Sequence, residues 1–404
     1  MRALPPPILL APALLAGVAG AQGVVAPTPG MPAQPPPQSP AATGQTDRFS
    51  SVFNPAISAV LDVIGDYVDV EDGADGDGFD LSLRAFELGI NSWVDPQAWF
   101  YAIGVASEEE LAIEEAAVHY LGLGSNTTLR LGRFFIDFGR QMQFHLHELR
   151  TVERPLPLRA YLGEESGGDG LQFDHWFGVG DVTIVRWSVG AFASLAGGHE
   201  HGEEEAGEEP EVIVPGRKDL DEFNLTARLT GITELSDASM LQLGASARAI
   251  PEFAFEDAAS GETVEGLSNA VYGADLTYSW IGETGNRRWT IGGEYLLNTG
   301  DTGAEVDQGT LTVLDDTLGG WFAFVDYAWD PFNSAGVQYG RAELPGSGDL
   351  LQGELELYYT RLFSEFQRLR LGLAYLDGDE DPDSMRVALQ YTAVIGAHSH
   401  GINW

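Results

Sequence analysis

Connections between the apolar-alternating segments run short, long, short, long along the chain, and this rhythm restricts the fold more than any other feature of it. A tight polar turn separates Trp280 from Trp289, and another separates Trp93 from Trp99. The next connection is each time longer and usually acidic. A transmembrane up-and-down antiparallel β-barrel requires this pattern, with short turns on the periplasmic side and long loops outside.

Individual segments carry the period of two that such strands need. Over 239–249, Leu241, Leu243, Ala245, Ala247 and Ala249 alternate with Gln242, Gly244, Ser246 and Arg248. Over 289–298, Trp289, Ile291, Gly293, Tyr295 and Leu297 alternate with Thr290, Gly292, Glu294 and Asn298, and Leu296 breaks the pattern. Apolar groups on one face and charged groups on the other suit lipid outside and water inside. A soluble sandwich alternates in the same way, but it has no reason to gather large aromatics at its short-turn ends. Here Trp93/Trp99, Trp176, Trp280/Trp289, Trp329/Phe332 and Phe363/Phe366 flank short connections, as an aromatic girdle would. The expected class is all-β, a barrel of about sixteen strands. The segments lie near 54–67, 80–94, 97–107, 112–122, 127–138, 169–177, 182–196, 221–231, 239–249, 270–280, 288–298, 316–329, 334–343, 350–362, 367–376 and 384–395.

The organisation read from the chain has three parts. Residues 1–21 form an export signal, with Arg2, an apolar stretch from Ile8 to Val18 and Ala19-Gly20-Ala21 before the cut. Residues 22–48 are a Pro-, Gln- and Ala-rich periplasmic tail. Residues 49–404 are the barrel, ending on the aromatic Trp404. An even strand count then puts both termini in the periplasm. Cysteine is absent from all 404 residues, which excludes thiol catalysis and thiolate metal sites. No segment after the signal approaches the ~18 apolar residues of a membrane helix.

The stretch Leu129 to Arg140 (LRLGRFFIDFGR), after Glu114-Glu115-Ala116, resembles a strand pair of the phosphate-selective porin family. Phe53 to Ser58 (FNPAIS) and Arg154 to Arg159 (RPLPLR) are similar to segments of a related porin-like group. The resemblance implies a diffusion channel of sixteen or eighteen strands. It does not carry phosphate over as the substrate, because that family's selectivity resembles a lysine-lined constriction, and Lys218, the only lysine here, falls in an external loop.

Sixty-one acidic residues against twenty-one basic ones leave a net charge of −40. The excess is concentrated in the external connections, including Glu71 to Asp80, Glu108 to Glu110, Glu200 to Glu211 and Asp377 to Asp383. A single-sign field at a pore mouth concentrates counter-ions, and rings of carboxylates favour cations. The same charge excludes nucleic-acid binding, which needs a basic stripe. Connection 139–168 is different: it is long, charge-balanced and rich in apolar anchors such as Phe144, Leu149, Val152 and Leu158. It is expected to fold into the barrel and set a constriction from Arg140, His145, His147, Glu148, Arg150, Glu153, Arg154 and Arg159.

His199, His201, Glu203 and Glu204 in the 197–220 loop form a candidate site for a weakly held divalent metal, Zn²⁺ by its donors. Asp72 to Gly78 resembles a fragment of a calcium loop, without the bidentate glutamate that would complete it. No cofactor is required. Enzymatic barrels remain the competing class for His145, His147, His175, Asp169 and Asp174, but no GxSxG elbow accompanies these residues, and no enzyme activity is expected. The expected function is passive diffusion of small hydrophilic solutes, with a preference for cations that extends to divalent metals. Expected partners are outer-membrane lipid and lipopolysaccharide, with room for a homotrimer. The alternative is a non-conducting outer-membrane barrel whose external loops bind a partner, metal or surface polymer.

Overall fold

The computed structural model describes residues 55–71, 78–106, 111–193, 211–213, 222–257, 260–307, 310–345, 350–379 and 383–396. Residues 1–48, read above as signal and tail, lie outside them, as do His199, His201, Glu203, Glu204, Lys218 and Trp404.

One antiparallel sheet closes on itself. Strand β1 (Ala56–Val70) pairs on one side with β2 (Gly78–Asp95) and on the other with β17 (Ser384–Ile395), so no edge is left open. Between them run β3 (Ala98–Ala106), β4 (Leu111–Tyr120), β5 (Thr127–Phe135), β6 (Gly167–Val179), β7 (Thr183–Phe192), β8 (Glu211–Ile213) and β9 (Asn224–Ser236). The circuit continues through β10 (Ser239–Asp257), β11 (Glu262–Ile281), β12 (Arg288–Asp307), β13 (Thr310–Asp330), β14 (Asn333–Leu344), β15 (Leu350–Ser364) and β16 (Gln367–Gly378). Sixteen of these are staves in chain order; β8 is a three-residue strand that pairs with β10 at Ala254–Glu256, while β7 and β9 pair directly. Each of the sixteen expected segments is a stave.

Alternation sets the two faces as expected. On β10, Leu243 is 50% exposed on the outside, whereas Gln242, Ser246 and Arg248 are buried inside. Leu276, Leu357, Leu371 and Leu389 continue the exposed apolar band around the wall. At the short-turn end, Trp289 stacks on Tyr327 at 4.2 Å and Trp329 on Tyr359 at 5.9 Å, both as part of an outward girdle with Phe332, Phe363 and Phe366. Three tryptophans expected there face inward instead. Trp99 stacks on the buried Tyr101 at 5.2 Å, Trp93 lies opposite Trp99, and Trp176 lies opposite the buried Arg186. Parity along the strand, not nearness to a turn, decides which face a ring joins.

Two connections expected as external loops are strand. Staves β10 to β13 are 19, 20, 20 and 21 residues long, about twice the 9–11 needed to cross a bilayer. Their upper halves form a projecting wall. It is held by Phe253, Phe255, Leu267 and Leu311, a buried apolar cluster that can form only when neighbouring hairpins continue past the membrane zone.

Candidate functional site

No residue from 136 to 166 is exposed. This connection between β5 and β6 lies inside the barrel, and polar groups on staves all round the circumference hold its backbone.

The chain enters and leaves through a neck where Ile136 N donates to Ser166 O at 2.9 Å. Asp137 then meets Arg186 of β7 at 2.6 Å, and Gly139 N donates to Ser246 Oγ of β10 at 3.0 Å. Gly139 has φ of +54°, and a Cβ there would collide with the Glu294 carboxylate, so glycine is needed for both reasons. Glu294 of β12 accepts from Arg140 N at 2.7 Å and Gln141 N at 3.0 Å. Across the lumen, His145 donates from Nδ1 to Glu114 at 2.9 Å and from Nε2 to Glu115 at 3.3 Å, and His147 Nδ1 donates to Glu87 at 2.8 Å.

The next stretch is held through its carbonyls. Arg368 donates to His147 O. Arg370 donates to Leu149 O, to Thr151 O at 2.6 Å and to Gln390 Oε1 at 2.8 Å. Val152 N donates to Glu356 at 2.9 Å, Arg84 reaches Val152 O at 2.7 Å, and Arg386 pairs with Glu153 at 2.7 Å. Backbone that must lie away from water needs partners for its N–H and C=O groups, and these lumenal side chains provide them.

Helix α1 (Leu156–Leu162) seats the far end of the connection. It begins at Pro155, ends at Gly163, and packs on β12, β13 and β14. Pro157 and Tyr161 lie over Gly320, where any side chain would fill their space. Tyr161 donates to Glu343 O at 2.9 Å, and Arg248 donates to Tyr161 O at 3.2 Å. Phe138, Met142, Leu158 and Leu162 join Val271, Leu296, Leu318 and Phe322 of the wall in one buried cluster. The lumenal surface therefore carries an apolar seat for α1 on β12 to β14, with charged anchors beside it at Glu294 and further round on β15 through β17 and β1 to β4. Leu296, the exception to its strand's alternation, belongs to that seat.

Comparison with solved structures places this architecture. It aligns with OmpTdeltaL8, a loop-deletion mutant of an outer membrane protein of Vibrio cholerae, at TM-score 0.55 and 11% identity, covering 85% of this chain and 100% of that one. The anion-selective porin of Comamonas acidovorans aligns at TM-score 0.55 and 12% identity, over 85% and 99% of the two chains. OprB of Pseudomonas putida aligns at 0.52 and 10%, over 85% and 94%. The fold is that of the outer-membrane porins. In sequence, the chain is 27% identical over 339 residues to an uncharacterized protein of Aquifex aeolicus, covering 80% of this chain and 69% of that protein. No family model matches.

The eight residues expected on the inward connection are all inside this porin-type barrel, but in different circumstances. Arg150 lies over the Phe324 ring at 4.4 Å, and Arg140 over Phe144 at 5.2 Å. Arg159 is paired with Glu354, Glu153 with Arg386, and Glu148 sits in the short 3₁₀ turn Leu146–Glu148. Arg154 is fully buried and holds two carbonyls of its own loop, Gln141 O and Phe144 O, the latter at 2.6 Å. It faces no open lumen, so for Arg154 the expected lining role gives way to one of bracing the loop. His145 and His147 are engaged by Glu115 and Glu87, which strand alternation placed in the lumen but did not mark as loop partners, and by Glu114, which a bulge in β4 turns to the same face as Glu115.

Burial alone would lower the His145 pKa, but the Glu114 and Glu115 carboxylates outweigh it and raise the value well above that of a free imidazole. Glu164 moves from its ordinary 4.5 to about 7, because of burial first and the Glu153 charge second, against Arg159 and Arg84; Glu165 adds to the upward shift. A carboxyl raised in the folded loop stabilises it fully below about pH 4.5 and loses that contribution as pH rises through about 7. Amide protection factors over residues 150–165, with the intrinsic base-catalysed rate divided out at each pH, should therefore fall between pH 5 and 8 in wild type and become flat in Glu164→Gln. An unchanged profile in that variant would exclude Glu164 as the titrating group.

Proposed function

We propose that the protein is an outer-membrane diffusion channel for small hydrophilic solutes, narrowed by the inward-folded 136–166 connection and preferring cations. The observation that carries this reading is the location of that connection: a charged and apolar segment held inside a sixteen-stave barrel, with anchors on opposite walls. A barrel of this size leaves a wide lumen unless something fills it, and a segment held by hydrogen bonds to the wall fixes how much space remains. The outward apolar band and the girdle support a place in the outer membrane, with short turns and both termini on the periplasmic side. The −40 net charge supports the cation preference. One of the aligned structures, OmpT of Vibrio cholerae at TM-score 0.50, is described in a trimer form, and a trimer is the assembly we favour here.

Reversal potentials across a KCl gradient, with purified protein in planar bilayers, test the proposal. Cation preference is expected at low salt and should fade as salt rises, because exposed charges are screened beyond ~8–10 Å at 0.1–0.15 M. Arg150→Ala should shift selectivity further toward cations by removing a positive charge from the inward segment. Arg154→Ala should instead loosen the segment and make the current noisy, since its guanidinium braces the loop from within. Anion preference at low salt would overturn the vestibule argument. Silent bilayers containing folded protein would favour the non-conducting alternative, a barrel whose external loops bind a partner or surface polymer.

A further inference from the structure

Glu87 of β2, Glu114 of β4 and His145 of the inward connection bring their ligand atoms within 4.8 Å of one another. All three side chains are deeply buried, at 4%, 7% and 1% exposure respectively. We propose that they form a binding site for a divalent transition-metal ion of the Zn²⁺ type, held by His145 Nδ1 and by one carboxylate oxygen from each glutamate, separate from the His199/His201 candidate read from the sequence.

Three observations point to an ion. First, Glu114 Oε2 is buried and has no hydrogen-bond partner among the described residues, although its side chain lines a cavity together with Glu87, His147 and Glu165. A buried carboxylate oxygen without a donor is costly, and a cation relieves that cost. Second, the far nitrogen of His145 is already fixed. Nε2 faces Glu115 Oε2 at 3.3 Å, and Glu115 Oε1 in turn accepts from Tyr101 Oη at 3.1 Å and Phe135 N at 3.2 Å. A carboxylate behind an imidazole sets its tautomer and aims the other nitrogen at the metal, which is the usual support of a zinc-binding histidine. Third, the cavity that both glutamates border has room for about two waters on the side away from His145, next to Arg84 and Asp62.

Binding replaces the proton that His145 Nδ1 shares with Glu114 by the metal, and that proton leaves to solvent. Zn–N and Zn–O distances of about 2.0–2.2 Å require the ligands to draw in, which side-chain rotation of the two glutamates can supply. His147 remains a donor to Glu87 and orients it. One imidazole and two carboxylates suit Zn²⁺ and its neighbours better than Ca²⁺ or Mg²⁺, which favour oxygen alone. The ion would tie the connection to two staves at once. The site is argued from its own geometry and does not depend on whether the barrel conducts.

The test uses the full chain, purified folded and stripped with chelator, in a background of His199→Ala, His201→Ala, His398→Ala and His400→Ala that removes the other paired histidines. Competition against a chromogenic chelator should give one tightly held Zn²⁺ per chain. Glu114→Gln should weaken it at least tenfold, and Glu115→Gln by about 10–100-fold although it would not touch the metal. Heat-dependent gel mobility reports whether each variant is folded. X-ray absorption at the zinc edge of the background protein provides a reading independent of the core variants, and it should show one imidazole with an otherwise oxygen shell. No stoichiometric zinc in the background protein, unchanged affinity in folded Glu114→Gln, or a shell with two imidazoles or none would overturn the proposal.

Discussion

Arg370→Ala is expected to free the middle of the inward connection and raise single-channel conductance several-fold. Arg370 is only 2% exposed and serves four acceptors, Leu149 O and Thr151 O on the loop and Gln390 Oε1 and Thr360 Oγ1 on the wall. Alanine leaves these acceptors in the interior without their donor, at roughly 1–3 kcal/mol for each that water cannot reach. It also removes a positive charge near Glu356. The staves keep their own ladder on both sides of residue 370, with partners Thr360 and Gln390, so the wall should survive where the loop does not. Protease cleavage and cysteine labelling within 147–153 should rise together with the conductance. Arg370→Lys should fall between, because an ammonium on a flexible stem cannot reproduce the planar fork. Wild-type conductance and full protection of 147–153 in Arg370→Ala would show that the anchor is redundant.

Leu243→Arg should prevent or severely impair barrel assembly, whereas Gln242→Arg should be tolerated. Leu243 is half exposed on the outer face near the short-turn end of β10, inside the stretch of about 9–11 residues that crosses the bilayer, and a charge on that face costs about 2–4 kcal/mol at the midplane. Gln242 is inside, between Ile232 and Thr277 on the paired staves, on the face that also carries Ser246 and Arg248. Refolding yield into lipid vesicles, read by the heat-dependent gel shift, compares the two directly. Cysteine at 242 or 243 gives the complementary reading, with water-soluble reagents entering only at 242. Efficient insertion of Leu243→Arg combined with failure of Gln242→Arg would invert the faces.

The staves, their order and the faces of their aliphatic and charged residues were largely legible in the chain, because lipid and water impose opposite demands on successive residues and a strand repeats every two. That is why 334–343 and 384–395 were located closely. Strand length was not legible beyond the bilayer. Once both faces of β10 to β13 leave the membrane, Phe253, Phe255 and Leu311 are buried by neighbouring hairpins, and no lipid boundary is written into the alternation. The girdle shows the same limit, since Trp99 and Trp176 sit near turns yet face inward by parity. For the site, a charge-balanced and apolar connection between β5 and β6 was enough to expect an inward fold. Its partners were decided only in three dimensions. Glu87, Glu294, Glu356, Arg368 and Arg370 occupy lumenal positions that alternation assigns to water, Glu114 joins its neighbour Glu115 inside only through the bulge in β4, and no local pattern distinguishes a solvated lumenal charge from one that anchors a loop. Closing the barrel brings residues some 220 positions apart within hydrogen-bond distance, as between Arg370 and Thr151. The local signal that existed was Leu296, an apolar side chain on the wrong face, because a lumen must be apolar where it receives a helix.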